Sequence, residues 1–280
     1  MVATEDERDG GAGGKDGRAM DESTQNTQYD GIGTRYLEIK TLPAAEPELP
    51  SILSALGDVV EGKKCLDLAC GTGKYTHLIS TLSATSVTGY DISPTMISGA
   101  LTTYPPSQYP NLRFGVADCS VLDSLPASDN GTFDLVFSAW FLNYAGSERE
   151  LISMFHVIES QMAPGGKFIG LTTDAHDPNM SIQKLDFYGL DILVLDAAYI
   201  APDSGEVVGI KAKVKVSKAG FEFDCFQFRK EVYERCAKEA GLRIRWRESV
   251  MPDDERKETG YWEEWLARPT FAMLEATRTG

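Results

Sequence analysis

Two periods of apolar residues alternate along the first two thirds of the chain. Short, nearly unbroken apolar runs at Cys65 to Leu68, Ser86 to Ile92, Leu112 to Val116, Phe133 to Phe137 and Lys167 to Thr173 predict five buried strands. Between them apolar residues recur every three to four positions. Ile52, Leu53, Leu56, Val59 and Val60 make one such face ahead of Gly62, and Tyr75, His77, Leu78, Ile79 and Leu82 make a second. Ser93 followed by Pro94 reads as the N-cap and first residue of a third helix, which ends before Pro105 and Pro106. Ser147 and Glu150 form a capping box ahead of a fourth face of Leu151, Phe155, Ile158 and Met162, closed by Ala163-Pro164-Gly165-Gly166. Strands that alternate with helices predict a doubly wound parallel sheet.

Past Thr173 the period drops to two. Leu190 to Leu195, Val207 to Val216 and Phe221 to Phe228 are β-rich stretches separated by turn residues, and Lys211 to Val216 alternates cleanly. Residues 174–228 are therefore expected to form an antiparallel β insertion folded over the strand ends of the sheet. Glu231 to Ala240 is helical with Gly241 as its stop. Leu242 to Val250 and Phe271 to Thr277 then complete a seven-stranded sheet. Residues 1–28 are Gly-rich, charged and poor in large apolar side chains, which predicts a disordered acidic tail ahead of one domain over 29–280.

Composition narrows the class. No apolar run is long enough to span a bilayer, and the first residues offer neither a secretory apolar core nor the basic character of a transit peptide. A formal charge of −15 opposes a nucleic-acid or anionic-membrane partner, since both need a basic surface. The expected partner is a small molecule, with the chain as a monomer or homodimer. Cys65, Cys70, Cys119, Cys225 and Cys236 form no CxxC pair, which points to reduced thiols in a cytoplasmic protein without a structural zinc.

The candidate chemistry centres on Cys65-Leu66-Asp67-Leu68-Ala69-Cys70-Gly71-Thr72-Gly73. Gly71 and Gly73 let the backbone turn tightly and approach a ligand closely as a strand becomes a helix. A dinucleotide site would want a third glycine three residues later, and Thr76 stands there. Asp67, four residues before Gly71, would repel a pyrophosphate and attract an ammonium group, so the expected ligand carries positive charge. Asp91 lies 18 residues beyond Gly73, near the spacing at which such folds place a carboxylate on ribose hydroxyls.

The run Leu66 to Gly73 resembles the first motif of class I S-adenosylmethionine-dependent methyltransferases, and Pro164-Gly165-Gly166 matches the same family. Gly260 to Pro269 is similar to the C-terminal part of toxoflavin-type small-molecule methyltransferases. The resemblance implies a Rossmann-like fold and S-adenosyl-L-methionine as cofactor. It assigns cofactor contacts to Asp67, Ala69, Gly71, Gly73, Asp91 and Ser138, with Ile92 and Met96 flanking the adenine. Asp118 would accept from the adenine amine and the Cys119 N–H would meet a ring nitrogen, although Asp118 also suits a cap on the turn at Ser120. Tyr29 and Tyr36 would cover the cofactor or the substrate, their ring faces suited to a sulfonium; the competing reading makes them anchors of an N-terminal helix.

Residues just past Phe137 face the crevice beside the switch point of such a sheet. Trp140, Asn143 and Tyr144 are thus candidates to line the substrate pocket, as are Phe187, Tyr188 and Tyr199 from the insertion. Ser138-Ala139-Trp140-Phe141 differs from the Asn/Asp-Pro-Pro-Tyr/Phe of nucleic-acid amino-methyltransferases, which again favours a small, aromatic or heterocyclic metabolite, methylated on N or O, as in secondary metabolism. Positioning alone suffices for an amine; a phenol or alcohol would use a general base, for which Asp174 and His176 are nearest in sequence. No spacing of His, Asp and Glu suggests a catalytic metal. An NAD-dependent dehydrogenase and a non-catalytic cofactor-binding regulator remain as alternatives.

Overall fold

A computed structural model describes residues 31–279. The tail expected over 1–28, and Tyr29, lie outside the described residues. The main sheet holds β1 (Lys64–Leu68), β2 (Ser86–Asp91), β3 (Leu112–Val116), β4 (Phe133–Ala139), β5 (Met162–Thr173), β10 (Leu242–Arg247) and β11 (Phe271–Arg278), in the order β10-β11-β5-β4-β1-β2-β3. β1 pairs in parallel with both β2 and β4, so the strand order reverses direction at β1. β11 runs antiparallel to both of its neighbours. The helices are α1 (Glu48–Leu56), α2 (Lys74–Thr81), α3 (Pro94–Thr103), α4 (Glu148–Gln161), α5 (Lys230–Glu239) and α6 (Glu263–Ala267).

Alternation along the strands divides the core between the two faces of the sheet. Cys65, Leu135, Phe137, Ile169 and Leu171 pack with Ile52 and Leu56 of α1, Ile79 of α2 and Trp265 of α6. Leu66, Leu68, Val136 and Phe168 pack on the other side with Leu151, Phe155 and Ile158 of α4 and with Val232 and Tyr233 of α5. Each fully buried Leu, Ile or Phe stabilises the fold by about 1.5–3 kcal/mol. Both sequence-read N-caps are made: Ser93 accepts from Met96 N, and Ser147 from Glu150 N. Met162 is completely buried but begins β5, one residue past the end of α4.

The second sheet contains β6 (Lys184–Phe187), β7 (Leu190–Ile200), β8 (Val207–Val216) and β9 (Phe221–Phe228), antiparallel throughout. One face of it receives the 3-10 segment Gly33–Thr41: Ile39 and Leu42 pack among Ile210, Val214, Phe221 and Phe223. Farther along, Tyr199, Phe226 and Phe228 join the α4–α5 side of the main core. The insertion thus closes over the N-terminal segment at the carboxyl ends of the parallel strands. Of its strands, β6 goes beyond the sequence reading. Its inward residues are Lys184 and Phe187, while Leu185 is exposed, so no apolar alternation marks it.

Candidate functional site

Where β1 ends, three of five residues adopt positive φ: Ala69 at 56°, Gly71 at 54° and Gly73 at 81°. Backbone bonds fix this turn to the neighbouring strand. Cys70 N donates to Tyr90 O at 2.9 Å, and Gly71 N donates to Asp91 Oδ2 at 2.8 Å. The other Asp91 oxygen accepts from Ser93 N at 2.9 Å. One carboxylate therefore holds both the glycine turn and the start of α3. The two glycines differ in what surrounds them. A Cβ on Gly73 would lie 2.8 Å from the Phe114 ring, whereas a Cβ on Gly71 would meet nothing within 4 Å, so the turn is open at Gly71.

Thr76 occupies the position where a dinucleotide site would carry its third glycine, and its hydroxyl donates to Asp67 Oδ2 at 2.6 Å. Asp67 is buried, and burial pushes its pKa up to about 7 against the opposing pull of that hydroxyl. Gly89 on β2 makes room for the pair: a Cβ there would fall 3.0 Å from Thr76 Oγ1 and 2.8 Å from Cys70 Sγ.

Farther along the strand ends, Ile92 is half-buried, and Met96 and Cys119 are buried. Asp118 Oδ1 accepts from both the N–H and the hydroxyl of Ser120, at 3.0 and 2.5 Å, so it caps that turn. Beyond β4, Trp140 takes φ +62° and its N–H donates to Leu171 O. Ser138 Oγ, Trp140 Nε1 and Asn143 Oδ1 are buried without hydrogen-bond partners, a cluster of unmet polar atoms at the end of this strand. Buried polar atoms are seldom left unpaired, which makes the cluster a ligand signal.

A cavity adjoins these residues. Tyr36, Trp140 and Asn143 line it together with apolar residues of the second sheet, Leu190, Ile192, Val214 and Phe223 among them. Tyr36 also packs against the Phe223 ring at 6.0 Å. Lys40, Glu48, Thr173, Lys184 and Gln227 supply polar groups to the same wall, none of them singled out by the sequence. Glu48 and Lys184 are buried charges, a property that helix or strand periodicity does not signal. Lys184 Nζ donates to the carbonyls of Arg268 and Pro269, and burial pushes its pKa down to about 8.

The remaining candidates lie elsewhere. Tyr144 is half-buried beside the second sheet, and burial raises its pKa. Phe187 packs with the α1–α6 side of the core, and Tyr188 stacks on Trp262 while its hydroxyl donates to Tyr261 O. Tyr199 ties β7 to the loop before α4 through a bond to Gly146 O at 2.7 Å. His176 meets Trp246 edge-on and lines a different cavity with Asp177, Arg229 and Glu231. Asp174 is buried behind Thr173, its backbone carbonyl accepting from Gln227 Nε2 and its carboxylate from His176 N; burial raises its pKa.

Comparison with known proteins bears on this geometry. Residues 65–166 match the family model described as a methyltransferase domain. A malonyl-[acyl-carrier protein] O-methyltransferase from Paenibacillus is 33% identical over 91 residues, 32% of this chain and 32% of its own. An uncharacterised Haemophilus influenzae protein is 32% identical over 126 residues, 43% of this chain and 48% of its own. The matched stretches thus span a third to a half of these relatives. Among solved structures, an S-adenosylmethionine-dependent methyltransferase from Mesorhizobium loti superposes with a TM-score of 0.58 at 21% identity, covering 83% of this chain and 98% of the other. The CcbJ methyltransferase from Streptomyces caelestis gives 0.59 at 16% identity, covering 93% and 100%. Residues 65–166 thus match a methyltransferase-domain model, and the chain shares the doubly wound fold of the solved S-adenosylmethionine-dependent methyltransferases it superposes on.

Proposed function

We propose that the protein transfers a methyl group from S-adenosyl-L-methionine to a nitrogen or oxygen of a small, aromatic or heterocyclic metabolite. The observation that carries this reading is the turn open at Gly71, held by Asp91 and set beside the unpartnered Ser138 hydroxyl. Asp91, which accepts from Gly71 N and Ser93 N, lies at the carboxyl end of β2, where such folds place a carboxylate on ribose hydroxyls. Asp118 keeps Oδ2 for the adenine amine, beside the Cys119 N–H, while Ile92 and Met96 offer apolar contact. Asp67 and the Ala69 and Gly73 backbone complete the cradle at the amino-acid end.

When bound, S-adenosyl-L-methionine supplies a methyl group activated by its sulfonium. The chain's own task is to align the acceptor and exclude water. Trp140, Asn143 and Tyr36 are placed to orient an acceptor ring, and the apolar face of the second sheet keeps the cavity dry. Tyr144, Phe187, Tyr188 and Tyr199 are not among the residues that line this cavity. For a hydroxyl acceptor a general base would come from Asp174 or His176, neither of which lines this cavity.

Calorimetric titration with S-adenosylhomocysteine, with NAD as control, tests the cofactor. Micromolar binding of the first alone is expected, followed by methyl transfer to members of a panel of small phenols and heteroaromatic amines. Binding of NAD alone, or of neither, overturns the reading.

A further inference from the structure

The walls of the cavity contain an ion pair that packing alone does not explain. Lys40, on the 3-10 segment, places its ammonium 5.7 Å from the Tyr36 ring centroid and 5.6 Å from those of Tyr75 and Trp140. These three rings come from three different elements: the N-terminal segment, α2 and the end of β4. Glu48 at the start of α1 closes the cage, its Oε2 lying 2.5 Å from Lys40 Nζ and accepting from Tyr75 Oη at 2.6 Å. Both charged side chains are nine-tenths or more buried, and both line the cavity with Tyr36 and Trp140.

Three ring faces converging within about 6 Å of one point, with a carboxylate beside it, form an environment selective for a cation. A buried carboxylate without its counter-charge would be costly, so Glu48 requires a cation whenever the cavity is closed. The ammonium that meets this need belongs to a flexible four-carbon stem, which can swing aside without disturbing the cage. Trp140 Nε1 and Asn143 Oδ1, next to the cage, are the buried polar atoms left unmet while Lys40 fills it.

We propose that Tyr36, Tyr75, Trp140 and Glu48 form a cation-binding subsite, occupied by the Lys40 ammonium until a ligand cation displaces it. The subsite accepts a methylated or alkylated onium group. This inference rests on the proposed function only for where such a cation originates: the sulfonium of the cofactor or an ammonium on the methyl acceptor.

The test compares wild-type protein with Lys40→Met, which leaves the rings and Glu48 in place. Tetramethylammonium is titrated against both in saturating S-adenosylhomocysteine, with the fluorescence of Trp140 isolated by difference from Trp140→Phe. S-adenosylmethionine and S-adenosylhomocysteine are each titrated calorimetrically. If the subsite serves the acceptor, Lys40→Met binds tetramethylammonium at least tenfold more tightly than wild type and the two cofactor forms keep their affinity ratio. If it serves the cofactor, Lys40→Met favours S-adenosylmethionine over S-adenosylhomocysteine at least tenfold more than wild type does. In either case Lys40→Met/Glu48→Gln abolishes the gain. Unchanged affinities for both cations in a Lys40→Met protein with wild-type circular dichroism overturn the subsite. Loss of all S-adenosylhomocysteine binding in wild type would instead count against the proposed function, and tetramethylammonium titrated alone would still decide the cage.

Discussion

At Asp67 the fold holds a carboxylate in a site that disfavours its charge. Burial raises its pKa to about 7, so the folded state keeps a proton that the unfolded chain has already lost above its ordinary value of 3.8. Between those two values the folded protein binds more protons, and stability from this group falls as pH rises. Below about 4 both states are protonated and the penalty vanishes; above about 7 it is fully present. Asp67→Asn, which can still accept from Thr76, is expected to raise stability at pH 8 by roughly 1–3 kcal/mol and to change little at pH 4, measured by urea unfolding. If Asp67 also meets the cofactor's ammonium, the same variant loses S-adenosylhomocysteine affinity. Charge alone led the sequence to set this acid beside a cationic ligand, and its structural partner Thr76 was legible only as a missing glycine. Nothing in a one-dimensional pattern shows that the hydroxyl turns back nine residues to Asp67.

Gly71 and Asp91 make a second residue-scale expectation. Gly71 holds φ +54°, and its N–H donates to Asp91. Gly71→Arg would fill the open turn and abolish S-adenosylhomocysteine binding in calorimetry while leaving the circular dichroism spectrum unchanged. Asp91→Ala removes the anchor of the turn and any ribose contact together, and is expected to weaken binding by about 1–3 kcal/mol or more. Asp91→Asn keeps one acceptor oxygen and should fall between the two.

The elements of the second sheet show how legibility depends on which way side chains face. β8 was readable because Lys211, Lys213 and Lys215 alternate with Ala212, Val214 and Val216, whose side chains are buried. β6 inverts that code. Lys184 points inward to two backbone carbonyls, Leu185 points to solvent, and the hairpin to β7 turns through Tyr188 at φ +51° and Gly189 at +94°. Positive φ is unusual for an aromatic residue, and here it is offset by the Tyr188 ring stacked on Trp262 and the hydroxyl bonded to Tyr261 O. Long-range partners from the C-terminal segment therefore decide a turn that local residue preference does not predict. Where β8 crosses β9, the approach is closest at Gly209: a Cβ there would lie 2.1 Å from the Gln227 carbonyl. Gly209→Ala must push the two strands apart, and a loss of roughly 1–3 kcal/mol is expected in thermal or urea unfolding. Because Gln227 lines the cavity, the same substitution should weaken acceptor binding more than S-adenosylhomocysteine binding.

Across the whole molecule, the insertion is not a separate body resting on the sheet. Phe226, Phe228 and Tyr199 belong to the same apolar cluster as Phe155 of α4 and Tyr233 of α5, and Phe187 to the one that holds Trp265. Thr172 of β5 bonds the Tyr233 hydroxyl at 3.0 Å, and Thr173 donates to Phe226 O, so the end of β5 is tied to both α5 and β9. Arg268 reaches back to Asp177 and to the carbonyls of Asn179 and Ile182, joining the C-terminal segment to the start of the insertion. Removing the second sheet would uncover large apolar surfaces on both sides of the main one, so neither part gains by unfolding first. The two sheets are therefore expected to melt in one cooperative transition, with tryptophan fluorescence and far-ultraviolet circular dichroism coinciding in urea. The same coupling fixes how a ligand at the glycine turn is felt. S-adenosylhomocysteine at a hundred times its Kd should stabilise the folded state by about 2.7 kcal/mol, and both probes should shift by the same amount. A second transition confined to β6–β9 and insensitive to the ligand would show that the insertion folds independently and that the cavity is formed by docking rather than by a shared core.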